Sequence, residues 1–320
     1  MERPLISYIA RRAAQACVLL FLVSLVSYGI MNVAPGGPLA VYLHNPQVTP
    51  EKIAQLRSQL GLDRPWYARY TAWLGGIARG QWGYSYYTGR PVLAMIAERL
   101  PATFLLMLSA FGLALALSFP IGVFAATHKY SLADNLLSLG SFFAWAMPTF
   151  WFGVMLQLIL AVRLRLLPVA GMHEIGDTTI VDLLRHLVMP AMVLGLGAIA
   201  SWSRYLRSSV LEVLGQEYVR TAQAKGLPGR RVLRRHVLRN AMIPIVTLMG
   251  LDLPVLFSGA VITESIFGWP GMGRLFLSAL NNRDYPLEMA GLMISAALLI
   301  TGNLLADLAY AVLDPRIRYE

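Results

Sequence analysis

The chain has 320 residues, of which 57% are hydrophobic and only 14% charged, and it carries a formal net charge of +10. That balance places the chain outside the usual range of soluble domains and makes the bilayer the first solvent to test. The lone Cys17 rules out a disulfide framework within the chain.

A helix needs roughly 20 residues to cross about 30 Å of hydrocarbon. In chain order, the first charge-free run is Ala13 to Val33. Arg11 and Arg12 precede it as they would in a secretory signal, but it ends in Asn32-Val33-Ala34-Pro35 without a small-x-small cleavage site. It is read as a retained first span. Pro35-Gly36-Gly37-Pro38 then breaks the chain, and Thr49-Pro50-Glu51 opens a short helix that Gly61 stops. Trp66, Tyr67, Tyr70, Trp73, Trp82, Tyr84, Tyr86 and Tyr87 follow. Aromatic residues with a polar edge favour the membrane interface, so these are read as an anchor belt rather than a ligand cage.

Pro101 to Thr127 and Asn135 to Val162 are charge-free, and His186 to Ser203 and Met289 to Ala306 are shorter runs within spanning range. Asn240 to Thr263 contains a single charge, Asp252. At about −0.3 to −0.6 kcal/mol each, its Leu, Ile, Val and Phe residues offset the roughly +2.5 to +3.5 kcal/mol of a central Asp. Prolines 120, 148, 190, 244 and 254 fall inside these runs and predict kinked helices around a cavity.

The expected fold is therefore all-α, with six transmembrane helices and both termini on one side. The side follows from the segment after the fourth span: Arg204, Arg207, Arg220, Lys225, Arg230, Arg231, Arg234, Arg235 and Arg239 stand against only Glu212 and Glu217. Basic short loops stay inside, so this segment and both ends are expected in the cytoplasm, which also accounts for the net charge without nucleic acid. Arg163 and Arg165, at the outer end of span three, go against the trend.

Residues 1–34 are thus expected to form the N-terminus and first span, 35–98 a long extracytoplasmic segment, 99–313 a core and 314–320 a cytoplasmic tail. Within the core the crossings are expected near 100–127, 135–162, 186–204, 240–264 and 287–310, with a cytoplasmic loop at 205–239.

In that loop Leu211, Leu214, Tyr218 and Ala222 recur at helical steps, and Gly226 and Pro228 end the helix. A second helical run, Arg230 to Arg239, leads into span five. A basic loop can simply fix topology or touch anionic lipid. That explains the charge but not the pattern Tyr218-x-x-x-Ala222-x-Ala224-x-Gly226, whose small residues let another backbone approach closely.

Glu217-Tyr218-Val219-Arg220-Thr221-Ala222-Gln223-Ala224-Lys225-Gly226-Leu227, with Arg231-Val232-Leu233, Arg239-Asn240-Ala241 and Ile243-Pro244, resembles the cytoplasmic "EAA" loop of ABC importer permeases, in the dipeptide, oligopeptide and nickel branch. Leu60 to Pro65, Gly80 to Ser85, Leu100 to Thr103, Met147 to Trp151 and Phe267 to Gly273 resemble the same family in the same order. Arg220-Thr221-Ala222 departs from the literal Glu-Ala-Ala, Gln81 stands where Asp is frequent, and Asp252 where an uncharged polar residue is usual.

The resemblance implies an ATP-driven importer subunit of the bacterial or archaeal inner membrane. Its partners would be a second, homologous permease, two cytoplasmic ATPases and an extracytoplasmic solute-binding protein. No Gly-x-x-x-x-Gly-Lys-Ser/Thr occurs, so this chain is expected to bind no cofactor, leaving ATP and Mg to the ATPases.

The loop helix would be the coupling helix. Tyr218, Ala222, Ala224 and Gly226 would enter an ATPase groove, Glu217, Arg220, Lys225 and Arg231 its rim, and Thr221 and Leu227 complete the segment.

The translocation pathway is assigned Asp252, Glu264, Trp145 and Trp151. Asp252 either contacts substrate or is hydrogen-bonded within the protein, and Glu264 is read as sitting in interfacial water. His44, His128, His173, His186 and His236 are scattered without metal-ligand spacing, and no nucleophile and base arrangement is evident. Di- or oligopeptides are the expected cargo. A nickel chelate or glutathione is the alternative solute, and an ion-coupled secondary transporter the alternative class.

Overall fold

The computed structural model describes residues 2–33, 39, 49–59 and 61–313, except for the side chains at 2–10, 56, 59, 251, 253–259 and 305–313. The expected chain break at 35–38, His44 and the tail at 314–320 lie outside the described residues. Among those described, the chain is helical and has no β-strand, Tyr84 and Pro91 making only an isolated bridge.

The helices are α1 (Glu2–Val33), α2 (Pro50–Gln59), α3 (Trp66–Ala78), α4 (Val92–Thr127), α5 (Leu132–Ala146), α6 (Thr149–Leu156), α7 (Ile180–Leu214), α8 (Glu217–Ala224), α9 (Gly229–Val232), α10 (Leu238–Ile266), α11 (Met272–Asn281) and α12 (Tyr285–Leu313). Wider π-helical turns extend α6 over Gln157–Arg163 and join α9 to α10 over Leu233–Val237.

Four helices are long and apolar enough to cross a membrane, and five if α5 and α6 with its extension count as one crossing. The protein is a multi-pass membrane protein. The fifth expected crossing, 240–264, lies within the continuous helix α10.

The expected straight crossing at 135–162 is instead two helices that meet at 106°. The cause is local: Met147, preceding Pro148, is extended at φ −75° and ψ 127°, because the proline ring disfavours helical geometry in the residue before it. Helices α4, α7 and α10 continue through Pro120, Pro190, Pro244 and Pro254.

The residues form two compact units. The first comprises the chain up to Ala102 together with Pro270–Ile300. Here α3 packs on α1: the Ser24 and Tyr70 hydroxyls lie 2.8 Å apart, Tyr28 and Trp73 flank the Tyr70 ring, and Arg69 donates to Asn32. The aromatic segment is therefore only partly a belt, with Tyr70 buried in protein while Trp66, Tyr67, Tyr84 and Tyr87 remain exposed.

Asp284, buried just before α12, pins the turn at 85–86 by accepting from Ser85 Oγ and, at 2.9 Å, from the Tyr86 backbone N–H. Burial, and then the nearby Tyr28 and Asp284, push the Tyr86 hydroxyl up to about 12. Val92 and Ile96 of α4, Met272 and Ala279 of α11, and Leu287 and Ala290 of α12 form the apolar core of this unit.

The second unit comprises Thr103–Trp269 and the described residues from Thr301 onward. Here α4 passes close beside α7, and glycine allows the approach at two levels. A Cβ on Gly122 would lie 2.7 Å from the Ser203 carbonyl oxygen, and one on Gly195 2.9 Å from that of Ala110. Close approach through small residues is how helices associate where lipid removes the hydrophobic drive between them.

Around the lower crossing, Ala114 and Ala126 of α4, Trp202, Leu206 and Val210 of α7, and Ala241 and Ile245 of α10 make one core. A second core joins Ala161, Met189, Val193 and Phe267. Beside it, Gln157 donates to the carbonyls of Val169 and Ile266.

Candidate functional site

Helix α7 runs beyond the expected end at 204 because Leu206 and Val210 still face the core. It stops at Leu214, where the Gly215 and Gln216 amides close back on the Glu212 and Val213 carbonyls at 3.1 Å. Gln216 is extended (ψ 145°), and α8 starts afresh at Glu217. The single helical face expected through Leu211, Leu214, Tyr218 and Ala222 is thus divided between two helices.

The buried face of α8 is Val219 and Ala222, one helical step apart. Val219 is fully buried, and both side chains join the core that contains Trp202, Leu206, Val210 and Ala241. Ala222 therefore faces this chain's own interior. Glu217, Tyr218, Arg220, Thr221, Ala224, Lys225, Gly226 and Arg231 are exposed, and Leu227 is half-buried against the same core.

Val219 was not among the residues expected to matter, although its spacing from Ala222 marks a shared face. Tyr218 accepts a 3.0 Å bond from Asn240 Nδ2, tying the exposed edge of α8 to the start of α10. Arg220 reaches Glu217 at 3.0 Å, a solvated pair of little energetic weight.

At the end of α8 the Gly226 amide donates to the Gln223 carbonyl at 2.9 Å and the Leu227 amide to that of Ala222 at 3.4 Å. Gly226 has φ 76°. This pairing, with the apolar contact of Leu227 beside Ala222, is the Schellman arrangement that turns a chain sharply out of a helix. A Cβ on Gly226 would meet nothing within 4 Å, so within this chain the residue is needed for its backbone conformation rather than for room.

The polar residues inside the helices are mostly paired. Asp252 accepts from the Trp202 indole Nε1 at 2.7 Å, and Trp202 is fully buried. Asp252 is thus hydrogen-bonded within the protein. Asp252→Asn keeps an acceptor and is expected to retain the wild-type melting temperature, whereas Asp252→Ala orphans the indole N–H and should cost about 1–3 kcal/mol. Thermal unfolding in detergent, compared with uptake by both variants, measures this.

Glu264 is fully buried and accepts from Thr103 Oγ1 at 2.6 Å, so it does not sit in interfacial water. Asp134, at the start of α5, is gripped bidentately by Arg207 at 2.6 and 2.8 Å. Trp145 and Trp151 are exposed.

Two of the histidines are not scattered. His173 Nδ1 and His186 Nδ1 lie 3.0 and 3.1 Å from the Asp182 carboxylate, with His186 and Asp182 both buried. Among the described residues, no cluster of three or more His, Cys, Asp or Glu side chains is arranged to hold a metal ion.

A polytopic helical protein in which a short helix outside the membrane segments is rooted in the core between two long helices has the construction of a transporter's membrane subunit. The chain belongs to the family of binding-protein-dependent transport system inner membrane components, whose model matches residues 118–319, while the N-terminal model of the same systems matches residues 5–107.

It is 42% identical over 98% of its length, and 99% of the relative's, to the oligopeptide transport system permease protein AppB of Bacillus subtilis. It is 36% identical over 99% of its length, and 100% of the relative's, to the dipeptide transport system permease protein DppB of Escherichia coli. Among solved structures, two crystal forms of the inward-facing MetNI methionine ABC transporter match with TM-scores of 0.56 and 0.57 at 14% and 13% identity. Each match covers 70% of this chain and 98% of the other. That likeness is one of fold.

Proposed function

We propose that this protein is the permease subunit of an ATP-driven importer of di- or oligopeptides, spanning a bacterial or archaeal inner membrane six times with both termini in the cytoplasm. A second permease completes the pathway, a solute-binding protein delivers cargo from outside, and two ATPases carry ATP and Mg. The full-length identity to permeases named for oligopeptide and dipeptide transport supports the peptide cargo.

The observation that carries the mechanism is the mounting of α8. Its inner face, Val219 and Ala222, is embedded in the core shared by α7 and α10, while Glu217, Tyr218, Ala224 and Lys225 are presented outward. A close-packed core transmits displacement because it has no slack to absorb it. An ATPase that grips the outer edge of α8 therefore moves the ends of α7 and α10 with it. Closure of the ATPases on ATP then rocks the two permeases between inward-open and outward-open arrangements. The coupling surface comprises Glu217, Tyr218, Arg220, Thr221, Ala224, Lys225, Gly226, Leu227 and Arg231, and Ala222 acts from within as the anchor.

The test is uptake of labelled Ala-Ala into proteoliposomes holding the complete transporter, with loaded binding protein outside. Vanadate-sensitive accumulation that depends on ATP is the expected result. Accumulation driven by an imposed proton or sodium gradient without ATP overturns the proposal in favour of secondary transport.

A further inference from the structure

The second unit contains an arginine that the coupling role does not use. Arg204 lies on α7 one helical turn before Arg207, and the two are treated differently. Arg207 is held by Asp134, whereas among the described residues no carboxylate pairs with Arg204.

Its Nε donates to the Ala200 carbonyl at 3.1 Å, which draws the side chain back along the helix, away from α8. The guanidinium thus lies near the level of Ala200. At 1.5 Å per residue that is about 20 Å from the end of α7 at Leu214. It faces the Phe142 and Trp145 rings of α5, with centroids at 4.7 and 5.9 Å. Those rings remain 57% and 66% exposed, so the cation sits on an open face and not within a sealed core.

A cation on a membrane-spanning helix is costly against lipid, and such residues face a partner helix or a watered path. Ser138, Ser141 and Ser203, with Ile121, Ala125 and Leu137, line a recess the size of about one water beside Arg204 and Arg207. Nε is already occupied, and the two terminal nitrogens form the fork that matches a carboxylate. The aromatic rings support the guanidinium through cation–π contact.

We propose that Arg204, backed by Phe142 and Trp145, is a carboxylate contact on the translocation path and engages the C-terminal carboxylate of a passing peptide. This inference rests on the peptide-import reading. It also gives the pathway role expected of Trp145 a physical content, as the support of the cation. The partial exposure suits a transient contact, since a site on a conduction path must release what it binds.

The experiment uses the complete transporter in proteoliposomes, with Ala-Ala and its C-terminal amide each presented on binding protein loaded to equal occupancy. Arg204→Gln should slow Ala-Ala uptake roughly tenfold. The wild type should move the amide about as slowly, and the variant should show no further loss with the amide.

Multiplicative losses overturn the inference, because they mean that Arg204 acts without the carboxylate. Failure of the second permease to co-purify with Arg204→Gln overturns it in favour of a subunit interface. Wild-type rates that require anionic lipid, in a way abolished by Arg204→Gln, overturn it in favour of a lipid phosphate. A wild type that imports neither compound with ATP sinks the import reading and this inference together.

Discussion

Gly226→Val is expected to reduce ATP-driven uptake by about tenfold or more while the chain still inserts into the membrane at wild-type levels. The residue sits at φ 76°, where an L-residue pays roughly 1–2 kcal/mol and a β-branched one more. Relaxing to negative φ would forfeit the two bonds that close the Gln223 and Ala222 carbonyls, each worth about 1 kcal/mol. With every 1.4 kcal/mol a factor of ten, the intact end of α8 becomes a minor population.

A substitution that only removed room for a partner would give the same first result, so Gly226→Asn is the necessary comparison. Asn tolerates the left-handed conformation and should restore most of the uptake and of the ATPase co-purification. If Asn is as damaging as Val, the glycine serves close approach by a partner and the backbone explanation is wrong.

Arg207→Gln is expected to lower the melting temperature of the permease by on the order of 10 °C. Asp134 is 1% exposed, and once the guanidinium is gone its carboxylate keeps the Tyr130 amide, at 2.9 Å, among its few donors. An uncompensated buried charge costs about 3–5 kcal/mol, whereas removing both charges costs far less.

The double variant Asp134→Asn, Arg207→Gln should therefore recover most of the stability lost by Arg207→Gln alone, which is the signature of a coupled pair. Thermal unfolding in detergent, read from the monodisperse fraction on size exclusion, measures both variants. Equal melting of Arg207→Gln and wild type would show that water reaches Asp134. Because the pair joins the base of α5 to α7 one turn from Arg204, a loosened pair should also blunt the effect of Arg204→Gln on uptake.

Much of the architecture was open to a linear reading because the bilayer imposes a length. Charge-free runs near 20 residues announced α1, α4, α7 and α12, and Gly226 with Pro228 announced the end of α8. Pro148 was legible as an irregularity, but not as a turn of 106° that splits a crossing. A proline dictates its own φ and restricts its predecessor, whereas the direction of the chain afterwards depends on what the second helix packs against, here Ile266 and Phe267 beside Gly153.

Composition, spacing and local chemistry alone determined that this is a helical membrane chain with a basic loop carrying a short helix that ends on a glycine. The fold decided which face of that helix is covered. Tyr218, Val219, Ala222 and Ala224 all satisfy some helical spacing, and only the positions of Trp202 and Ala241 make Val219 and Ala222 the anchor.

The same holds for the buried polar groups of the long helices. Asp252 meets Trp202 across 50 residues, Asp134 meets Arg207 across 73 and Glu264 meets Thr103 across 161. Periodicity reports only on neighbours within a few turns. Whether a buried acid is paired depends on contacts between helices, and these exist only once the helices have packed.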